Sequence, residues 1–242
     1  MSTTRSTGDT DRPLRILIVY YSRFGAIKEL AGIIAEGVVK VHGASVDLLA
    51  VEEQPLGEAR GDETDEQMRQ RRGAISDRVA RADALIIGGP AYFGSMASPL
   101  KRFFEDCATA ESAILDRTRP WHHYLFRDKP GAAFTSSATP HGGNEQALLS
   151  MLTMLIHLGM IVVTPGQRGP ILEQPSAPYG ATAITGPSGH RELSAQEQEE
   201  ARYLGERVAT IAGRLRAGWQ AEVAARQDHL LESSAQPFDP SA

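Results

Sequence analysis

Short apolar runs alternate along this chain with segments whose apolar residues recur at helical spacing. Between Ile27 and Val38 the apolar residues fall three and four positions apart, which predicts an amphipathic helix directly after the first run. The same spacing predicts a helix over residues 97–108. The runs that predict strands are Leu14–Tyr20 and residues 45–51, 82–88, 131–136 and 160–163.

Two later helices are predicted together with their caps. Asn144 caps the first of them, and its apolar face continues to Ile156. Ser194 and Glu197 form a capping box at the start of the last helix, whose apolar face ends at Leu215. Strands that alternate with helices predict an α/β fold: a doubly wound five-stranded parallel sheet with helices on both faces.

The composition sets the domain boundaries and excludes some functions. Residues 1–13 are poor in large apolar groups and predict a disordered N-terminal tail, and residues 218–242 predict a C-terminal tail, around one domain at 14–217. A net charge of -5 argues against nucleic-acid binding. The single cysteine, Cys107, predicts a buried structural thiol and a cytoplasmic protein. No apolar run is long enough for an integral membrane segment, and no signal peptide is expected.

Three turns follow the first, third and fourth predicted strands, at residues 22–26, 89–95 and 136–143. The carboxyl ends of parallel strands lie at one edge of the sheet, where open α/β sheets bind their ligands. We therefore expect the three turns to meet around one ligand. Two segments lie outside this pattern: the charged residues 57–81, interpreted as a solvated connection with some helix, and the Gly- and Pro-rich residues 164–191, interpreted as a binding or subunit-contact loop.

The first turn favours a phosphate, because its backbone N–H groups open a helix. It has neither the lysine of a Walker loop nor a GxGxxG fingerprint, so Ser22 and the amides after it would be the donors. The alternative is an ordinary strand-to-helix turn with Ser22 as the N-cap.

The other two turns suggest a flat ligand with a polar edge. Tyr92 and Phe93 stand between glycines in the second turn, where the alternative is that their rings cover the adjoining helix. Hydroxyls and amides dominate the third turn, which contains His141. Neither His141 nor His157 has a partner at ligand spacing, so no metal site is predicted.

Together these segments resemble the WrbA-type NAD(P)H:quinone oxidoreductases, a flavodoxin-like family that binds FMN. The resemblance covers about residues 14–215. The matching segments are YYSRFGAI (20–27), GPAYFGSM (89–96), FTSSATPHGGNE (134–145), HLGM (157–160), PYGAT (178–182) and RYLGE (202–206).

The resemblance implies noncovalent FMN, with its phosphate on the first turn, its ring on the second, and its polar edge and ribityl chain on the third. A histidine matching His157 approaches the flavin in such enzymes. The implied cofactor residues are Ser22, Arg23, Phe24, Gly25, Ala26, Ile27, Pro90, Ala91, Tyr92, Phe93, Gly94, Ser136, Ser137, Ala138, Thr139, Pro140, His141, Gly142 and His157.

The implied reaction is a two-electron, ping-pong reduction of a quinone by NADH or NADPH, with no catalytic side chain. Phe24, Tyr92 and Trp121 are the implied contacts to the nicotinamide or quinone. The family forms homotetramers whose active sites lie at subunit contacts. Two alternatives stay open: a one-electron flavodoxin-type carrier, and a flavin-binding regulatory protein with little turnover.

Overall fold

The predicted strands and helices all occur, and they follow one another in the predicted order. The computed structural model describes residues 12–108, 126–168, 177–189 and 191–234. The elements are β1 (Leu14–Tyr20), α1 (Ala26–Val39), β2 (Ala44–Ala50), α2 (Asp65–Arg81), β3 (Ala84–Pro90), α3 (Ser98–Ala108), β4 (Pro130–Ser137), α4 (Asn144–His157), β5 (Ile161–Val162), β6 (Ala181–Ile184) and α5 (Ala195–Ser234).

All strands are parallel, and the five predicted ones lie in the order β2-β1-β3-β4-β5. The predicted doubly wound parallel sheet is therefore confirmed. A sixth strand, β6, was not predicted. β5 pairs with the amino end of β4 and β6 pairs with its carboxyl end, so two short strands share one position beside β4.

Helices cover both faces of the sheet, and each face has its own apolar core. Ile16 and Ile18 of β1 point into the core under α1 and α5. Leu17 and Val19 point into the opposite core, under α2, α3 and α4. This alternation is the period of two that a strand imposes on its side chains.

The backbones of α1 and α5 approach each other closely at two glycines. A Cβ atom on Gly37 would lie 1.9 Å from the carbonyl oxygen of Arg202, and one on Gly205 would lie 2.0 Å from that of Ile34. Neither position can hold a side chain without separating the helices, because the opposing atoms belong to the backbone. The glycine of the RYLGE segment therefore has a packing role.

The helix caps confirm one prediction and correct another. Ser194 accepts a hydrogen bond from the Glu197 N–H at 3.2 Å, and Glu197 accepts one from the Ser194 N–H at 2.7 Å, so the predicted capping box is present. The prediction for Asn144 is wrong by one residue. Gly143 is the N-cap of α4 in a left-handed conformation (φ 82°), which favours glycine over asparagine, and Asn144 is the first helical residue.

The last helix extends beyond Leu215, where its predicted apolar face ends. α5 continues to Ser234 and includes residues 218–234 of the segment predicted to be a C-terminal tail. Residues 218–234 contain mostly good helix formers such as Ala, Glu, Gln, Arg and Leu, which explains the continuation. The charged segment 57–81 contains α2, whose N-terminus is closed by a Thr64–Gln67 capping box.

Cys107 has the predicted structural role. Its side chain is buried in the core under α3, and burial raises the pKa of the thiol to about 12. The thiol therefore stays protonated at neutral pH, whereas a reactive cysteine needs a thiolate. Within the described ranges, none of the helices combines the length and hydropathy that crossing a bilayer requires.

Arg12, at the end of the predicted N-terminal tail, is fixed to the domain by a buried carboxylate. Its guanidinium donates to both Asp83 carboxylate oxygens, at 2.6 and 2.7 Å, and the Arg15 N–H donates at 2.9 Å. Arg216 of α5 lies 3.8 Å away. Burial alone would raise the pKa of Asp83, but these hydrogen bonds and charges outweigh it and lower the pKa below its ordinary value of 3.8.

We expect Asp83→Asn to lower the free energy of unfolding by about 2 kcal/mol at pH 7, because two guanidinium groups lose their carboxylate. The folded pKa of Asp83 is depressed, so its contribution is complete above the unfolded-state pKa and is lost as the pH falls below about 4. Urea unfolding at several pH values measures the difference between the two proteins. A difference that did not shrink at low pH would contradict this assignment.

Candidate functional site

Four loops at the carboxyl edge of the sheet enclose a cleft of about 360 Å³. They follow β1, β3, β4 and β6, and the size is within the range of ordinary ligand pockets. The residues that line the cleft are Ser22, Arg23, Phe24, Ala26, Ile27, Pro90, Ala91, Tyr92, Ser136, Ser137, Ala138, Thr185, Gly186, Pro187, Ser188 and Gly189.

The loop after β1 presents free amides at the start of α1. Gly25 is the N-cap with φ 100°, a conformation that favours glycine, and no side chain caps the helix. The Lys28 N–H donates to Ser22 Oγ at 3.2 Å. The N–H groups of Ala26 and Ile27 have no acceptor in the described part of the chain, so they and the helix dipole can bind an anion.

Arg23 and Phe24 form the outer rim of this loop. The Arg23 guanidinium lies 5.7 Å from the centre of the Phe24 ring, and Phe24 is 59% exposed. On its inner side Phe24 approaches Gly189, where a Cβ atom would lie 3.4 Å from the Phe24 Cβ. The ring therefore sits between the first and fourth loops, with one side open to solvent.

The loop after β3 ends in a tight turn that separates its two aromatic side chains. Tyr92 and Ser95 exchange backbone hydrogen bonds, and Phe93 and Gly94 between them both have positive φ, at 53° and 68°. This is the geometry of a type I′ turn. It directs the Phe93 ring into solvent, fully exposed, while Tyr92 lines the cleft and packs against the core.

The loop after β4 contributes its first three residues to the cleft. Ser136 and Ser137 are buried at the end of the strand, and Ala138 is exposed. Beyond them the chain turns back, with the Ser137 hydroxyl donating to the Thr139 carbonyl at 2.8 Å. This turn directs the rest of the third loop away from the cleft.

The loop after β6 is held by one buried carboxylate. Arg191 donates to both Glu197 carboxylate oxygens, at 2.5 and 2.7 Å, and the N–H groups of Ile184 and Ser194 donate to the same carboxylate. Burial would raise the pKa of Glu197, but these donors outweigh it and lower the pKa. These hydrogen bonds to Glu197, called the clamp below, fix both ends of the loop after β6. Residues Thr185–Gly189 of that loop form the fourth wall of the cleft.

Tyr21 joins the cleft to the segment after β2. Its hydroxyl donates to Glu53 Oε1 at 2.6 Å, and its N–H donates to the Gly88 carbonyl of β3 at 3.0 Å. Burial, followed by the hydrogen bond to Glu53, raises the pKa of Tyr21 to about 12. Tyr21 is therefore protonated at neutral pH and cannot serve as a base.

The structure brings together the predicted residues from all three turns but excludes several from the cleft lining. Phe93 points outward, and His157 ends α4 at the opposite edge of the sheet, beside the amino end of β4 where Ile161 pairs with Pro130. Trp121 lies outside the described residues. The other predicted residues that do not line the cleft are Gly25, Gly94, Thr139, Pro140, His141 and Gly142.

The fourth loop was not among the predicted cofactor residues. Residues 185–189 read TGPSG, and Gly186 and Gly189 both have φ 74°. The signal was present, because this glycine-rich turn follows the apolar run Ala181–Ile184, as the other loops follow their strands. Within PYGAT, Gly180 has a packing role, since a Cβ there would lie 2.2 Å from the Ala133 carbonyl oxygen.

The sequence matches the profile of a known enzyme family over residues 16–169, described as NADPH-dependent FMN reductase. A protein of Syntrophobacter fumaroxidans named NAD(P)H dehydrogenase (quinone) is 37% identical over 84% of this chain and 98% of its own length. A protein of the same name from Solidesulfovibrio magneticus is 34% identical over 84% of this chain and 100% of its own length.

Solved structures share the fold. A flavodoxin, WrbA-like protein from Agrobacterium tumefaciens superposes with a TM-score of 0.54 at 24% identity, covering 83% of this chain and 98% of its own. An NADH:FMN oxidoreductase superposes with a TM-score of 0.55 at 16% identity, covering 81% of this chain and 89% of its own. The flavodoxin-like fold of the chain is thereby established.

Proposed function

The chain belongs to the NADPH-dependent FMN reductase family, and from that premise we propose that it is an FMN-dependent NAD(P)H dehydrogenase (quinone) whose FMN lies in the cleft at the carboxyl edge of the sheet. The observation that carries the placement is the pair of free amides at Ala26 and Ile27, which open into this cleft. Relatives that match this chain over almost their whole length carry the quinone dehydrogenase name.

We assign a group of cleft residues to each part of FMN. The Ala26 and Ile27 amides and Ser22 would hold the phosphate without a cationic side chain. Pro90, Ala91 and Tyr92 would line the flavin ring, while residues 136–138 and the fourth loop would meet its polar edge and ribityl chain. The other predicted cofactor residues belong to the same loops and would support these contacts.

Bound FMN supplies the hydride and electron transfer chemistry, so the chain needs to orient its partners and exclude water. No catalytic acid or base is assigned. Tyr21 stays protonated and fixes the carboxyl ends of β1, β2 and β3 relative to one another. The N-terminal end of α1 and the amides of the loops present partial positive charge to an anionic cofactor.

The nicotinamide and the quinone are proposed to use the same open rim in turn, as a ping-pong reaction requires. Phe24 and Tyr92 provide aromatic surface there, and Arg23 provides a positive charge at the entrance. Trp121 is retained as a third contact from the sequence resemblance. Reduction of the quinone by two electrons in one step would avoid releasing radical products.

A homotetramer in the cytoplasm completes the proposal. His157 is at the opposite edge of its own sheet, so a contact with the flavin requires a neighbouring subunit. Leu149 and Ile156 are exposed on α4 and give that helix an apolar surface suited to subunit contact. A lone buried cysteine is typical of proteins in a reducing compartment.

Glu197→Gln tests the fourth wall of the cleft. We expect about fivefold weaker FMN binding, because the neutral amide weakens the clamp on Arg191 and the Thr185–Gly189 loop loses its fixed position. Fluorescence titration of FMN measures the affinity. Glu199→Gln, two residues further along α5 and exposed, is the matched control and should bind FMN normally. Equal affinities of all three proteins would contradict the role of the clamp.

Steady-state oxidation of NADH and NADPH with benzoquinone tests the proposed function. The FMN-loaded protein should turn over at about 1–1,000 per second and produce hydroquinone in equal amount to the nicotinamide consumed. A rate equal to that of free FMN would overturn the enzyme proposal in favour of a regulatory flavin-binding protein. Transfer of single electrons to the acceptor would favour a flavodoxin-type carrier.

A further inference from the structure

A second cavity, of about 330 Å³, lies between the segment after β2 and helices α2 and α3. It shares no lining residue with the cleft. Its wall combines four arginines with two carboxylates and an apolar floor. The lining residues are Leu49, Ala50, Val51, Glu52, Gln54, Leu56, Arg60, Arg71, Ala74, Ile75, Arg78, Pro99, Arg102, Phe103 and Asp106.

Arg71 has a buried donor with no partner. Its Nε and Nη2 atoms donate to the Glu63 carboxylate, each at 2.9 Å, and Nη2 also donates to the Glu58 carbonyl at 3.0 Å. Its Nη1 atom is buried and has no hydrogen-bond partner within the described residues. A buried donor on a charged group loses its water without a replacement, which is unfavourable unless a ligand supplies an acceptor.

Two of the other arginines are held in place by carboxylates. Arg78 donates through Nε and Nη2 to both Asp47 carboxylate oxygens at 2.7 Å, and Asp47 lies outside the cavity lining. Arg60 Nε lies 2.8 Å from Glu52 Oε2, an ion pair without hydrogen-bond geometry. The bidentate pair with Asp47 fixes the Arg78 guanidinium before a ligand arrives, which reduces the conformational entropy lost on binding.

Arg102 stands exposed at the mouth of the cavity, and no acceptor for it is found among the residues that the structure describes. A bound group would therefore meet the exposed Arg102 guanidinium and the Arg71 guanidinium, which Glu63 holds in place and whose Nη1 lacks an acceptor. Guanidinium groups bind phosphate oxygens with charge-assisted hydrogen bonds, and several arginines can share the oxygens of one tetrahedral group.

We propose that this cavity binds a phosphate group, carried either by an organic phosphate such as a nucleotide or by inorganic phosphate. Arg71 Nη1 and Arg102 would donate to it, while Leu56, Ile75 and Phe103 would pack against any organic part. The proposal does not depend on the function assigned to the cleft. The Val51–Gln54 segment joins the two sites, since Glu53 accepts the Tyr21 hydrogen bond.

Calorimetric titration of the FMN-loaded protein tests this site, because bound FMN would occupy the phosphate position proposed for the cleft. The probes are inorganic phosphate and adenosine 2′,5′-bisphosphate. Arg71→Met should weaken binding of both by about tenfold or more. Arg69→Met is the matched control on the same helix, since Arg69 is exposed, pairs with Glu66 and does not line the cavity. It should bind the probes as the unchanged protein does.

Two further variants test the site independently of Arg71→Met. Arg102→Met removes an exposed side chain without a buried partner, so it should fold normally even if Arg71→Met does not, and it should also weaken binding. Ala26→Asp, titrated without FMN, has a carboxylate in the cleft that should repel a phosphate there. It should still bind the probes normally, because the proposed site lies in the second cavity.

The outcomes distinguish the sources of the phosphate. If adenosine 2′,5′-bisphosphate binds more tightly than inorganic phosphate, the site recognises an organic phosphate. If the two probes bind equally, the site recognises the phosphate group alone. Both results support the site. No binding of either probe would overturn the proposal. Equal weakening by Arg69→Met and Arg71→Met would also overturn it, because a general charge effect would then explain the result.

Discussion

Gly37→Ala should lower the free energy of unfolding by about 3 kcal/mol, because among the described glycines an added Cβ atom would lie nearest to another atom here. The new Cβ would lie 1.9 Å from the Arg202 carbonyl oxygen and within 2.9 Å of the Arg202 Cα. No side-chain rotation relieves this contact, since the opposing atoms are backbone, so α1 and α5 must separate and loosen the core between them.

Gly32→Ala is the matched control, because Gly32 is in the same helix and a Cβ there meets nothing within 4 Å. Replacing glycine by alanine at such a position should raise stability by about 0.5–1 kcal/mol. Urea unfolding of both variants measures the two changes. The close packing of α1 on α5 would be contradicted if both substitutions stabilised the domain.

Ala26→Asp should weaken FMN binding by about 100-fold while leaving the fold intact or slightly more stable. The substitution places a carboxylate at the N-terminal end of α1, where it stabilises the helix by about 0.3–1 kcal/mol. The same carboxylate would occupy the position proposed for the FMN phosphate and repel it, an interaction of about 4 kcal/mol at 4 Å in a partly exposed site before further screening by solvent.

Ala26→Asn separates charge from size, since asparagine has nearly the same shape without the charge. It should weaken FMN binding by about tenfold or less. Fluorescence titration gives the affinities, and thermal unfolding without FMN gives the stabilities. Unchanged FMN affinity in Ala26→Asp would place the phosphate elsewhere, and a large loss of stability would show that the turn was disrupted instead.

The sequence predicted the sheet and three walls of the cleft because these depend on local patterns. An apolar run such as Leu14–Tyr20 predicts a buried strand, and the helical repeat after it predicts a helix on the sheet. Once the strands are parallel, the edge at which their carboxyl ends meet is determined. The turns at Ser22, Pro90 and Ser136 could therefore be placed together without a structure.

The fourth wall could not be predicted with the same certainty, because β6 is only four residues long. It is a strand because β4 extends beyond β5 and leaves a free edge for Ala181–Ile184 to pair with. Such pairing depends on the tertiary arrangement more than on propensity. The Thr185–Gly189 loop lines the cleft because β6, which precedes it, pairs with β4.

The aromatic and histidine positions needed the structure for another reason. Phe93 and Tyr92 are adjacent in sequence, and only the positive φ at Phe93 shows that their rings point in different directions. His157 lies one helix length from the third loop, so α4 carries it to the opposite edge of the sheet. Adjacency in sequence therefore does not reveal where the Phe93 ring points, and His157 can be placed only once the length and direction of α4 are known.

A crystal structure of the protein with FMN would test the account most directly. We expect one FMN per chain in the cleft at the carboxyl edge, with phosphate oxygens within hydrogen-bond distance of the Ala26 and Ile27 amides and the flavin ring against Pro90, Ala91 and Tyr92. FMN bound elsewhere, with no phosphate at the start of α1, would contradict the account.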